Sequence, residues 1–181
     1  MSNDTWATPP EIFHALDLEF RFGFDVCAEH STAKCPEYWT IDDDALKQDW
    51  AKAGGVFGQW LWCNPPYSNP FPFIKKAIEA QLAGRGTVML LNHDMSNEWG
   101  AYLLPYVTEI RVLIASGSKA DKTYQNGRIG FIKNGRPAKD NPKGQVVLVF
   151  DPHRIGYCHT TYVAKTALMA KGAIDSKERA A

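Results

Sequence analysis

The residues best suited to chemistry in this chain of 181 residues are Asn64-Pro65-Pro66-Tyr67. Two successive prolines fix the backbone, so the Asn64 side-chain oxygen and the Pro65 carbonyl become two acceptors able to converge on one exocyclic amine. Tyr67 adds a flat face for a planar base. An aromatic amine is a poor nucleophile, because its lone pair is delocalised into the ring. Two acceptors holding its two N–H bonds favour a tetrahedral nitrogen, localise that lone pair and aim it at an electrophilic methyl group, which is catalysis by positioning and electrostatics. Attack on a sulfonium methyl leaves a cationic amine that loses its proton readily, so no strong general base is needed. The plainer reading is a strand-ending turn, for which Asn-Pro is a common signal. Context favours chemistry, since the tetrad stands directly after an apolar run and directly before an amphipathic one.

Other chemistry-bearing groups are less pointed. The acidic run Asp42-Asp43-Asp44 supplies the oxygen ligands that Mg²⁺ or Ca²⁺ takes, but helix capping plus one ligand contact is the favoured reading, and no metal is expected. His14, His30, His93, His153 and His159 show no ligand spacing, and no Ser-His-Asp arrangement stands out. Cys27, Cys35, Cys63 and Cys158 form no CxxC pair, so they read as reduced thiols, mostly buried. Twenty Lys plus Arg balance twenty Asp plus Glu, so no global field recruits a polyanion. The segment 117–145 departs from that balance, with seven basic residues (Lys119, Lys122, Arg128, Lys133, Arg136, Lys139 and Lys143) against Asp121 and Asp140. It reads either as a mobile phosphate-tracking loop whose affinity falls with salt or as a solvated surface loop.

The elements that must position these groups follow from periodicity. Thr8-Pro9-Pro10-Glu11 reads as a helix start with Thr8 as N-cap and Glu11 closing a capping box. Ile12, Phe13, Leu16 and Phe20 continue it at helical spacing. The run from Phe22 to Ala28 predicts a buried strand that delivers Asp25 to its carboxyl end. Residues 29–50 predict loops with a short helix. Val56 to Cys63 predicts a second strand, stopped by the prolines, and Phe73, Ile74, Ala77, Ile78 and Leu82 mark a helix from Phe71 ended by Gly84. Strands at Thr87 to Leu91 and Glu109 to Ile114 flank a helix at Trp99 to Leu104. Gly127 to Lys133 and Gln145 to Asp151 predict an antiparallel hairpin, Thr161 to Lys171 a last helix, and residues 172–181 a frayed tail. The alternation predicts one α/β domain over residues 1–181, a mixed, mostly parallel sheet flanked by helices with a C-terminal antiparallel hairpin. Ligands are expected beyond the carboxyl ends of its strands. No apolar run approaches the roughly 18 residues of a membrane span, and no signal-peptide plan opens the chain.

Thr8-Pro9-Pro10, Phe24-Asp25-Val26-Cys27-Ala28, Lys34-Cys35-Pro36, Asp44-Ala45-Leu46, Gln48-Asp49-Trp50, Trp62 to Tyr67 and Gly127-Arg128-Ile129, in that order and spacing, resemble phage-type DNA N6-adenine methyltransferases of the Dam class. The resemblance implies a Rossmann-like fold that uses S-adenosylmethionine as cofactor and double-stranded DNA as partner. It implies that Asn64, Pro65, Pro66 and Tyr67 hold and methylate a flipped adenine, since adenine's amine lies inside the duplex. Asp25 and Ala28 would lie under the methionine part of the cofactor, Thr8 and Pro9 would touch the same end, and Asp44 or Asp49 would meet its ribose or adenine. Lys119, Lys122, Arg128, Lys133 and Arg136 would contact DNA, while Trp6, Tyr38, Trp39 and Trp99 could shape the pocket. One departure is plain: no glycine occurs between Ala28 and Gly54, so the glycine-rich cofactor loop is missing. Such loops serve close approach to a pyrophosphate, and this cofactor has no phosphate. The same tetrad suits RNA adenine or a protein glutamine amide as acceptor, and an idle nucleic-acid binder on this scaffold is the third reading. The absent span and signal plan and the reduced thiols are consistent with a cytoplasmic protein, the sequence leaves open whether it is a monomer or weak dimer, and the resemblance implies phage DNA modification against restriction.

Overall fold

Two prolines set where the first helix starts. Pro9 is the N-cap of α1 (Pro10–Phe20), and its carbonyl accepts the N–H groups of Ile12 and Phe13 at 3.1 and 3.2 Å. Thr8 is therefore not the cap, and Glu11 closes no capping box: no side chain caps this helix. The reason is that Pro10 is pre-set for the first helical position, which makes Pro9, with no side-chain acceptor, the cap. Ile12, Phe13, Ala15, Leu16 and Phe20 form its buried face.

The computed structural model describes residues 6–54, 60–133, 135–138 and 141–178. A seven-stranded sheet runs in the order β2-β1-β3-β4-β8-β5-β9. Its strands are β1 (Phe22–Asp25), β2 (Glu37–Tyr38), β3 (Trp60–Cys63), β4 (Gly86–Asn92), β5 (Glu109–Ile114), β8 (Gln145–Phe150) and β9 (His159–Ala164). Every neighbouring pair is parallel except those made by β8, which is antiparallel to both β4 and β5. Within the second predicted strand, Val56 to Gln59 lie outside the described residues. The edge strand β2 is an addition to the loops read over residues 29–50.

Antiparallel pairing toward the C-terminus is present with other partners than the sequence indicates. Both edges of β8 are taken inside the sheet, so it is not available to residues 127–133. Those residues instead supply β6 (Ile132–Lys133), which turns back on β7 (Arg136–Pro137) as a small hairpin. Gly135, at φ +73°, provides the left-handed residue of that turn. The predicted last helix also changes. Thr161 to Ala164 belong to β9, paired in parallel with β5, as suits a Thr-Thr-Tyr-Val run. The helix α4 (Lys165–Glu178) begins only afterwards and continues through most of the segment expected to fray. A Cβ on Gly172 would collide with the Glu11 carbonyl, so this glycine lets α4 lie close against α1.

The central strands are apolar on both faces, as sheets covered by helices on either side require. Leu61, Cys63, Met89, Leu91, Val146 and Leu148 pack toward α2 (Phe71–Leu82). Trp62, Val88, Leu90, Val147 and Val149 pack toward α1 and α4. The short helix α3 (Glu98–Leu103) follows β4. Among the described residues no helix is long and apolar enough to cross a membrane. The feature that positions the site is the switch in strand order: β1 lies between β2 and β3, so the chain leaves it in opposite directions. A crevice opens at such a point beyond the carboxyl ends of the strands.

Candidate active site

The ends of β1 and β3 meet at this switch, with Asp25 in register with Trp62. Asp25 is 2% exposed. Its Oδ1 accepts the N–H of Cys27 at 3.2 Å and its Oδ2 that of Lys34 at 3.1 Å, so one carboxylate folds the loop of residues 26–34 back on itself. Burial pushes the Asp25 carboxyl up to about 6, against the pull of these two N–H groups and of the Lys34 charge. Burial also lowers the Lys34 ammonium, which Asp25 and Glu11 partly offset.

Asn64 leaves β3 immediately after the buried run Leu61-Trp62-Cys63. Its Nδ2 donates to the Trp6 carbonyl at 3.1 Å. A carbonyl can only accept, so the amide nitrogen must face it and the oxygen must point elsewhere. That Oδ1 is buried and has no partner among the described residues. Pro65 is buried behind it. Tyr67 is half-buried and buries its hydroxyl, also without a partner among the described residues. Burial, with Cys63 as the lesser cause, holds this phenol well above its ordinary value. The ring meets Phe131 edge-on, at a centroid distance of 5.7 Å and an interplanar angle of 77°. Beneath the tetrad the Cys27 and Cys63 sulfurs lie 3.8 Å apart, and burial raises the Cys63 thiol.

Two cavities flank the tetrad. The larger, about 390 Å³, is walled by Trp6 to Thr8, by the end of β1 from Asp25 to Glu29, by Lys34, by parts of the stretch from Thr40 to Leu46, and by Asn64 and Pro66. The smaller, about 290 Å³, lies beside Tyr67 and is closed by Asn92, Asp94, Asn97 and Trp99, with Lys143 at its edge. Native proteins leave few buried polar atoms unpaired. Here Trp6 Nε1, Thr8 Oγ1 and Asn64 Oδ1, all without a partner among the described residues, belong to residues of the larger cavity.

Trp6 Nε1 and Thr8 Oγ1, with the Lys34 ammonium and the Glu29 and Asp44 carboxylates in the same walls, fit a zwitterionic amino acid joined to a ribose. Asp44 lines the cavity; Asp49 does not. Asp49 accepts the Ala51 N–H at 3.1 Å and pairs with Lys52 at 2.8 Å, as Asp44 pairs with Lys47 at 2.8 Å, so their place relative to the cavity is what separates them. Ala28 and Thr8 line the cavity, whereas Pro9 is the helix cap beside it. The acidic run is organised by capping: Asp43 Oδ2 accepts the N–H and the hydroxyl of Thr40 at 2.7 and 2.9 Å. Of the aromatic candidates, Trp6 and Trp99 line cavities. Trp39 packs edge-on against Phe24 in the core, and the Tyr38 hydroxyl meets His30 Nδ1 at 3.0 Å.

The basic segment is anchored on its apolar side. Gln145 accepts the Ile129 N–H at 2.8 Å and Asn141 donates to the Ile129 carbonyl at 2.9 Å, while Ile129 and Phe131 are buried. Lys119, Lys122, Arg128, Lys133 and Arg136 are exposed. Lys143 is committed to Asp94 at 3.0 Å, and Asn134, Lys139 and Asp140 lie outside the described residues. Sequence reasoning missed Glu29 as a cavity residue, gave Lys34 no role, and passed over Phe131. The signal for Phe131 was the alternation Ile129-Gly130-Phe131 inside a polar stretch, a short half-buried pattern.

A family model of DNA N-6-adenine-methyltransferases (Dam) matches residues 1–174. The chain is 33% identical over 175 residues to a DNA N-6-adenine-methyltransferase of Haemophilus phage HP1 (strain HP1c1), covering 93% of this chain and 91% of that protein. It is 28% identical over 165 residues to a DNA N-6-adenine-methyltransferase of Escherichia phage T1, covering 88% of this chain and 67% of the relative.

Proposed function

The chain belongs to the DNA N-6-adenine-methyltransferase (Dam) family, and from that premise we propose that it moves a methyl group from S-adenosylmethionine to N6 of an adenine rotated out of double-stranded DNA. The cofactor supplies the electrophilic sulfonium methyl. Lys34 and Glu29 take the carboxylate and ammonium of its amino-acid end, with Thr8, Asp25 and Ala28 beside them. Asp44 accepts from the ribose hydroxyls. Ile41 and Leu46, exposed apolar side chains in the cavity wall, cover the cofactor's base.

Asn64 Oδ1 and the Pro65 carbonyl accept the two N6 hydrogens, and Pro66 holds the turn rigid. The base enters from the side of the smaller cavity, between Tyr67 and Trp99. Attack makes N6 cationic, and its proton then leaves to water, so the chain needs no strong base. The observation that carries this reading is the Asn64 amide: its nitrogen is pinned to Trp6, and its oxygen is buried with nothing among the described residues to accept from. Lys119, Lys122, Arg128, Lys133 and Arg136 hold phosphates. The phage origin of the relatives supports modification of phage DNA against host nucleases.

Mapping of N6-methyladenine in DNA from cells expressing the protein tests the reading and yields the recognised sequence. Methylated adenines are expected with wild type and none with Asn64→Ala. Label appearing only in RNA or in protein glutamine would overturn the choice of acceptor.

A further inference from the structure

The segment that bears the basic residues also holds both ends of the tetrad. Ala7 exchanges two backbone hydrogen bonds with Ile132, donating at 2.9 Å and accepting at 2.8 Å. One residue earlier, the Trp6 carbonyl takes the Asn64 amide. One residue before Ile132, Phe131 packs its ring against Trp6, with centroids 6.0 Å apart, and edge-on against Tyr67. Phe131 is 1% exposed. Immediately beyond, Lys133 and Arg136 face each other across the β6 and β7 hairpin, both exposed. Two contact routes therefore leave this segment. One passes through Ala7 and Trp6 to Asn64, the other through Phe131 to Tyr67.

We propose that Phe131 is a positioning residue: together with the Ala7 to Ile132 bridge it orients Asn64 and Tyr67, and it couples phosphate binding on the β6 and β7 hairpin to that orientation. The inference rests on the function proposed above and adds to it a residue that touches neither reactant. The Asn64 amide has two orientations, and the Trp6 carbonyl selects the one that frees the oxygen. Close-packed interiors transmit displacement rather than absorb it, so a hairpin seated on a phosphate holds Trp6 and Phe131 in place. A misplacement of about 1 Å at the reacting groups costs on the order of a hundredfold in rate.

The test compares Phe131→Leu, which keeps apolar bulk and removes the ring, with Leu168→Ala, a truncation on α4 in the same apolar cluster. Tritiated methyl transfer to plasmid DNA should fall roughly 30- to 100-fold in kcat for Phe131→Leu, with the KM for cofactor within about threefold. Leu168→Ala should lower the melting temperature at least as much and leave kcat within about threefold. Phe131→Met replaces the leucine variant should that fail to fold. A second readout needs no activity: the Asn64 side-chain amide protons, protected by Trp6 in wild type, should exchange faster in Phe131→Leu and unchanged in Leu168→Ala. Equal losses of kcat in the two variants, or unaltered Asn64 exchange in Phe131→Leu, would overturn the proposal. A wild type that transfers no methyl group to any DNA would instead defeat the functional reading, and the exchange comparison would still decide the role of Phe131.

Discussion

At the carboxyl ends of β1 and β3 several polar atoms are buried without a partner among the described residues, whereas most of the described cations along residues 117–145 stand in water. Thr8 Oγ1, Asn64 Oδ1 and the Tyr67 hydroxyl are orphaned at the first; Lys119, Lys122, Lys133 and Arg136 are exposed at the second. A buried polar atom without a partner costs on the order of 1–3 kcal/mol, and several of them lining one cavity regain bonds when water or a ligand fills it. An exposed cation carries no such cost. Its contribution is screened and shared with its neighbours. The difference teaches where single substitutions should be severe and where they should be mild.

Asn64→Ala is the severest test of that contrast. Turnover should fall by at least about a thousandfold, the scale of losing a preorganised electrostatic partner in a transition state, while cofactor affinity measured by calorimetry changes less than about fivefold. Asn64→Asp sharpens the point. It keeps acceptor oxygens but has no N–H for the Trp6 carbonyl, which would instead face a carboxylate. Its turnover should lie between those of wild type and Asn64→Ala. Retention of more than a tenth of wild-type turnover in Asn64→Ala would erase the distinction between the two regions.

Asp25 gives the next largest effect, through pH. Its pKa is raised from 3.8 to about 6, chiefly by burial. The folded state thus favours the neutral acid, and the stability this provides is full below pH 3.8 and is lost as pH rises through about 6. The cofactor carries a sulfonium and an ammonium, so it binds the ionised form better. Its affinity should rise with pH through about 6 and weaken by up to about tenfold per pH unit below that. Titration calorimetry between pH 5 and 8 checks this. Asp25→Asn should bind more weakly at pH 8 and lose the pH dependence, and a wild-type affinity flat across that range would remove Asp25 from the cofactor's surroundings.

The buried region was also the legible one. The prolines after Cys63, the apolar run before them and the helical spacing after Phe71 are local signals, so the strand, turn and helix around Asn64 could be read directly. Pairings between distant strands could not. Nothing local tells Gln145–Phe150 to insert between β4 and β5, or makes Thr161 to Ala164 extend along β5 rather than coil into α4. Asp44 and Asp49 are alike in sequence, each followed three residues later by a lysine that it pairs with. Only the path of the chain from Thr40 to Lys52 puts one of them in the cavity wall. Phe131 was obscured by the charges and glycines around it, which describe the surface of that segment and not its buried side.

The basic segment should answer weakly and additively. Arg128→Ala and Lys133→Ala should each weaken DNA binding several-fold at low salt, and each should reduce the slope of log affinity against log salt by about 0.9 if it removes one phosphate contact. The fold should be unaffected, because both side chains are exposed, the Arg128 guanidinium makes among the described residues only a long 3.5 Å contact to the Pro142 carbonyl, and the backbone bonds of Arg128 survive the substitution. Lys143→Ala is the internal control. Its ammonium is already paired with Asp94, so a phosphate gains from it only what it loses on leaving that carboxylate, and the slope should shift less than for Lys133→Ala. Equal slopes for all three variants would mean that the segment acts through its net charge alone. A larger effect from Lys143→Ala would mean that the Asp94 pair opens when DNA arrives and that the boundary between the two regions runs through Lys143.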